Sequence, residues 1–350
     1  MLSKFTESLT GNLAEHWAVT ILAPAFTFWS GCILVWVNIS GWSDLRQLLS
    51  NLSEIEQLSI IIGCLLLFLA SSWVVQTMTP VILRLLAGHW PSLFDPVRLI
   101  FIRWQNRRVQ KLERLRLRIY NEAFCTLTPE EQNQHDQPNL TETRRHEIVQ
   151  KMFGQLATSK LSAYARADLV LLLYPPRPEQ RMPTRFGNIL RAAELRPQIR
   201  YGLDTYVCWP RLWLVLPKET RDELVAARKN LNLLVQLLTW GMLFVVVSQV
   251  LSFVGGLWVW WGLIAGILVI VYLYHISIEA AVTYGDLLTS AFDIHRIRLY
   301  QALRLPPPST TDELAAGHQV TAYLFRGPPQ VPISFCRDPE KSNCDDLEEM

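Results

Sequence analysis

Long stretches of this chain run without a charge. Between Glu15 and Asp44 only His16 can ionise, and AVTILAPAFTFWSGCILVWV fills 18–37. LSIIIGCLLLFLASSWVVQTMTPVIL runs between Glu56 and Arg84, and 49 residues free of formal charge separate Lys229 from Glu279. A helix rises about 1.5 Å per residue, so about 20 residues cross a hydrocarbon core roughly 30 Å thick. The 49-residue stretch is therefore two spans. Gly255-Gly256 divides it into LNLLVQLLTWGMLFVVVSQVLSFV and LWVWWGLIAGILVIVYLY. The pattern predicts a mainly α, polytopic membrane protein: four transmembrane helices in two hairpins, with a mostly helical cytoplasmic insert. Core helices of water-soluble proteins do not supply four uncharged runs of this length. Pro24 and Pro80 fall within spans and are expected to kink them.

The spans set the domain plan: an N-terminus over 1–17, a first hairpin over 18–86, and an insert over 87–230. A second hairpin over 231–278, a helical extension over 279–326 and a disordered acidic tail over 327–350 follow. Within the insert, VRLIFIRWQNRRVQKLERLRLRIYNEAFC has Val97, Phe101, Trp104, Leu112, Leu115 and Ile119 at three-and-four spacing, an amphipathic helix. TLTPEEQNQHDQP over 126–138 reads as a polar loop, TETRRHEIVQKMFGQLATS as a helix, and LVLLLY as a strand or a buried helical turn. PPRPEQRMP reads as extended. Thr184 is placed to cap a helix starting near Arg185, which RPQIRYGLD is expected to end, with Gly202 in a left-handed turn. WPRLWLVLP reads as a segment dipping toward the inner interface, and TTDELAAGHQVTAYLF as a short helix capped by Thr311.

Charge orients this plan. The chain is 50% hydrophobic and 18% charged, with 13 tryptophans and a net charge of +2. That balance is uneven: Arg84 to Lys229 holds 25 Lys and Arg against 15 Asp and Glu, whereas Asp286 to Met350 holds 6 against 10. The loop after the first span carries only Arg46 and the Gly-Gly turn carries no basic residue. The positive-inside rule then places the insert and both termini in the cytoplasm. Trp36, Trp42, Trp258, Trp260 and Trp261 fall at the outer interface. MLSKFTESLTGNLAEHW lacks the layout of a signal peptide, so the first run is expected to remain. The six cysteines form no C-x-x-C, zinc or disulfide framework; Cys336 and Cys344 are read as reduced bystanders in the tail, with a disulfide between them as the alternative.

Candidate chemistry concentrates in PTRFGNILRAAE, YGLD and WPRL. Arg185, Asn188, Arg191, Glu194, Tyr201, Asp204, Trp209 and Arg211 are the candidate ligand-binding residues. Arginines bind phosphate bidentately, and Glu194 or Asp204 is a candidate base. The structural alternative is a joint of turns and ion pairs, Arg191 and Glu194 being three apart on a helix. Glu279, Asp286 and Asp293 recur at seven, an acidic stripe on one helix face. The expectation is a cytoplasmic collar in which Arg185, Arg191, Arg200 and Arg211 meet that stripe. The motifs PTRxGN, RAAE, YGLD and WPRL, with AAVTYGDLLTSAFDIHRIRLYQAL, resemble a group of uncharacterised bacterial multi-pass membrane proteins over about the last half of the chain. The resemblance implies this topology in a bacterial cell (inner) membrane and no known activity.

His275 and Glu279, four apart, have a spacing compatible with a metal or proton site, but no third ligand is evident. H-E-x-x-H, G-x-x-x-x-G-K-[ST] and G-x-S-x-G are absent, and Gln76, Gln236 and Gln249 are the main polar residues of the spans. No catalytic residue, cofactor or metal is assigned. The partners expected are the lipid bilayer, anionic headgroups near the basic helix, and further copies of the chain; nucleic acid is not expected. The reading is an oligomeric membrane scaffold or pore with a cytoplasmic collar. The alternatives are a membrane-bound enzyme or a ligand-sensing effector that uses 183–212 to hold an anionic headgroup or phosphate.

Overall fold

The computed structural model describes residues 23–50, 52–135, 137, 141–255, 259–309 and 312–327, and these are helical with no strand. The helices are α1 (Ala23–Ser40), α2 (Trp42–Ser50), α3 (Glu54–Leu86), α4 (Asp95–Phe124), α5 (Pro129–His135) and α6 (Glu142–Gly154). They continue as α7 (Thr158–Leu172), α8 (Arg185–Tyr201), α9 (Thr205–Val215), α10 (Lys218–Gly255), α11 (Val259–Ala302) and α12 (Glu313–Arg326). The chain forms two compact units, Met1–Leu86 with Lys218–Tyr284, and Ala87–Pro217 with Gly285–Met350.

In the first unit, three helices among the described residues are long and apolar enough to cross a membrane: Glu54–Leu86, Lys218–Val250 and Gly262–Ala302, the last continuing past the unit's limit. The first expected span is represented by α1, whose apolar run Pro24–Val37 is shorter; residues 18–22 lie outside the described residues. Gly256 of the expected Gly-Gly turn also lies outside them.

α1, α3 and α10 pack through Ala25, Phe28, Cys32, Val75 and Trp240. The Phe28 and Trp240 rings lie 4.9 Å apart, and Trp29 Nε1 donates to Ser71 Oγ at 3.2 Å. Small residues let α11 approach: Phe244 lies against both Gly31 of α1 and Gly266 of α11. Elsewhere apolar side chains face outward. In α3 Leu66 is 61% exposed and Trp73 66%, and only 11% of its most apolar window is buried. In water such a surface would be costly; it is the normal outer face of a helix solvated by lipid.

The second unit departs from expectation at several elements. The polar loop 126–138 contains α5, started by a capping box in which Thr128 N and Oγ1 donate to Glu131 Oε2 at 3.1 and 2.9 Å, with Pro129 at the first helical position. LVLLLY belongs largely to α7, so it is helical rather than a strand, but it is not a buried turn: Leu169 and Leu172 are exposed. WPRLWLVLP contributes its first seven residues to α9. Pro197 does not end α8, which continues to Tyr201 and closes at Gly202 with φ +72°. The short C-terminal helix is α12; Thr311, its expected cap, lies outside the described residues.

The largest difference is the face of α4. Of the expected apolar stripe, Ile119 is buried and Leu112 half-buried, but Val97, Phe101, Trp104 and Leu115 are exposed, and Gln105, Val109 and Ala123, outside the stripe, are buried. The segment 174–183 causes this. Gln105 Nε2 donates to Pro183 O at 3.4 Å, and Tyr174 Oη donates to Gln105 Oε1 at 3.1 Å. A proline-rich segment cannot satisfy its carbonyls by forming a helix, so α4 turns a polar residue toward it.

Candidate functional site

Thr184 is extended and its Oγ1 accepts from Gly187 N at 2.9 Å, capping α8. One turn on, Asn188 is completely buried. Its Nδ2 donates to Met182 O and Thr184 O, and its Oδ1 accepts from Met182 N, each at 2.8 Å. Those three bonds hold the chain that enters the helix. A methyl at Gly187 would overlap the Ala87 carbonyl oxygen, so this turn requires glycine for a close backbone approach. Arg185 lies beside it, partly buried, with its Nε among the described buried atoms that find no partner.

Glu194 is engaged from two sides. Tyr206 Oη donates to its Oε2 at 2.6 Å and Arg191 Nη1 stands 3.4 Å from the same oxygen. Tyr206 is 62% exposed as a residue, but desolvation of its hydroxyl end against Glu194, and then the hydrogen bond to this carboxylate, push the phenol up to about 12. Asp204 caps α9, its Oδ1 accepting from Val207 N at 3.2 Å, and its own N–H donates to Thr321 Oγ1 of α12 at 3.0 Å. Arg211 is exposed and donates to Val207 O one turn back. The Trp209 ring lies 5.9 Å from Phe292 of α11. These candidates serve the helix ends and contacts of their own unit.

Two of the three stripe carboxylates meet α8. Arg196 Nη1 lies 3.2 Å from Asp286 Oδ1, and Arg200 Nη1 lies 3.2 Å from Asp293 Oδ2. Tyr201 Oη donates to Asp293 Oδ1 at 2.9 Å, with Arg296 4.2 Å above the Tyr201 ring. Burial, followed by Asp293, raises the Tyr201 phenol above its ordinary value. Partner numbers rise together on the two helices, which therefore cross in the same sense. Glu279 belongs to the other unit. Of the four arginines expected at the stripe, Arg200 touches it, whereas Arg191 and Arg211 contact Glu194 and Val207 O instead. Arg196 gives no signal in the sequence, because the Pro197 that follows it resembles a helix end although α8 continues through it.

Arg116, Arg181, Arg196 and Arg200 line a cavity of about 330 Å³, with Glu113, Asp168 and an apolar wall including Leu171, Tyr174 and Ile199. Arg181, its side chain 3% exposed, donates to Pro175 O, Pro176 O, Asn106 Oδ1 and Glu113 Oε1. Arg116 pairs with Asp168 at 2.8 Å. Each guanidinium here already has a protein acceptor. The periodicity gives no sign of this convergence, because its members come from α4, α7, the 174–181 segment and α8.

α8 and α12 also meet backbone to backbone. A methyl on Gly317 would overlap the Tyr201 carbonyl oxygen, and Thr321 Oγ1 donates to Gly202 O at 3.0 Å. Cys208 is fully buried here, and burial pushes its thiol up to about 11. Among the described residues no cluster of three or more His, Cys, Asp or Glu side chains is arranged to hold a metal. Comparison with family models, curated proteins and solved structures finds no match to the chain.

Proposed function

We propose that the chain is a non-enzymatic membrane scaffold: four spans in two hairpins in a bacterial inner membrane, with both termini and the arginine-rich unit in the cytoplasm, assembling as a homo-oligomer. A pore between copies is the conducting form of the same reading. The resemblance carried by PTRFGN, RAAE, YGLD and WPRL belongs with it and adds no activity. One observation carries the reading: the polar side chains of 183–212 serve helix caps, ion pairs and a buried asparagine cradle. Glu194, a candidate base, is already bound by Tyr206 and Arg191. The outward apolar surface of α3 supports lipid contact and association. Native mass spectrometry in detergent tests it: an oligomer of defined size is expected, and a strict monomer across detergents contradicts it. For the orientation, a tag near residue 130 is expected to be reachable only after the inner membrane is opened.

The cavity favours a second reading, in which the unit senses a small phosphate-bearing anion held by spare guanidinium donors of Arg116, Arg196 and Arg200. Titration calorimetry of the full chain with glycerol phosphate and inorganic phosphate tests it. Saturable heat that Arg196→Lys abolishes supports this reading, and the absence of heat removes it.

A further inference from the structure

The exposed side of α4 changes character along its axis rather than around it. Its first turns present Val97, Ile100 and Trp104, with Leu93 just ahead; Ile100 is 62% exposed and Trp104 56%. On the same side the following turns present Arg107, Lys111, Arg114 and Arg118, all exposed and in no ion pair among the described residues. Arg107, Lys111, Arg114 and Arg118 border one broad surface hollow with no carboxylate in its lining. The opposite side of the helix packs on its own unit through Gln105 and Val109.

We propose that this face of α4 docks on the anionic headgroup layer of the membrane that holds α3, N-terminus first, with the apolar turns among the acyl-chain ends and the cations among the phosphates. The inference rests on the membrane reading above and adds a specific lipid contact to it. Three observations support this occupant. Only eight residues, 87–94, join the end of α3 to the start of α4, so the apolar turns stay tethered to a candidate span. From Val97 to Trp104 the helix rises about 10 Å, comparable with the depth to which interfacial helices insert, and the cationic run then rises about 16 Å further along the axis. The charge is of one sign and matches phosphatidylglycerol. A helix lying flat would carry its cations beside its apolar stripe; an inclined one carries them beyond it.

Site-specific photocrosslinking of the full chain tests this in nanodiscs of phosphatidylcholine mixed with phosphatidylglycerol. Trp104→benzoylphenylalanine is expected to give lipid adducts enriched in phosphatidylglycerol about tenfold over the bulk ratio. Adding Arg107→Gln, Lys111→Gln, Arg114→Gln and Arg118→Gln is expected to bring that enrichment to parity while adducts persist. Leu66→benzoylphenylalanine in α3 is the parallel label. Lipid adducts at 66 but none at 104 overturn the docking and leave the span intact; no lipid adduct at 66 overturns the membrane reading itself. Adducts from 104 to residues 1–22 or 328–350, or to a second copy, show another occupant and overturn the proposal. Enrichment that survives the four Gln substitutions removes the role given to the cations.

Discussion

Gly317→Ala is the sharpest single perturbation. A methyl there would overlap the Tyr201 carbonyl oxygen and stand 2.8 Å from its carbon and 3.1 Å from Gly202 C. Neither neighbour is a flexible side-chain end. Gly202 itself sits at φ +72°, where a Cβ would also strike α12, so the crossing cannot rotate out of the clash. α12 must therefore move off α8, stretching the two Thr321 hydrogen bonds, to Gly202 O and from Asp204 N, both 3.0 Å. Overpacking costs about 1–3 kcal/mol and the two hydrogen bonds about 1 kcal/mol each, against a gain of about 1 kcal/mol from the better helix former. The net loss is about 2–4 kcal/mol, equivalent to a midpoint lower by about 5–15 °C. Thermal unfolding in detergent, followed by tryptophan fluorescence, reads it. Gly154→Ala is the control: no atom lies within 4 Å of the added carbon, and its midpoint should stay within about 2 °C of wild type. If the two variants melt together, the backbone crossing is not the joint described.

Asn188→Ala leaves Met182 N and O and Thr184 O without their shared partner, and should lower stability by about 2–4 kcal/mol, measured by the same melts. Asp286→Arg should be destabilising and Arg196→Glu should restore part of the loss. Because the Asp286 side chain is 61% exposed, the coupling should not exceed about 1 kcal/mol, and strict additivity would exclude the pair as a latch. Native Cys208 should resist a maleimide that labels exposed Cys125 readily, as peptide mapping of the labelled chain would report. The folded state holds the Cys208 proton more tightly than the unfolded chain, so the associated stability is present below the ordinary thiol value of 9.0 and is lost as pH rises through about 11. Cys208→Ala should flatten that part of a stability–pH profile.

Much of the plan was readable because lipid imposes a coarse rule. An uncharged run is either long enough to cross or it is not, and α3, α10 and α11 follow from that alone. Helix ends were legible where a single residue type does the work: Thr184 as a cap and Gly202 as the left-handed stop. The signal for α5 was also present, in Thr128, Pro129 and Glu131, but the polarity of the surrounding residues obscured it. The face of α4 could not be read from periodicity. Its buried Gln105 answers the Pro183 carbonyl and the Tyr174 hydroxyl, 78 and 69 residues away, and its exposed Trp104 looks in sequence like any core aromatic. The candidate residues of 183–212 were picked for their chemistry, whereas most serve local geometry. Arg181 and Arg196, which line the cavity, stand beside prolines whose effect on the backbone dominates the local pattern. Nothing local in a sequence announces the contact between Gly317 and Tyr201, because each is ordinary on its own helix.

The central claim is that lipid is the solvent of α3, α10 and α11. Membranes from cells expressing the full chain, washed with alkaline carbonate and then urea before sedimentation, test it most directly. The chain should remain in the pellet and enter the supernatant only when detergent dissolves the bilayer. Release by carbonate or urea alone, as a dispersed protein, would contradict the account.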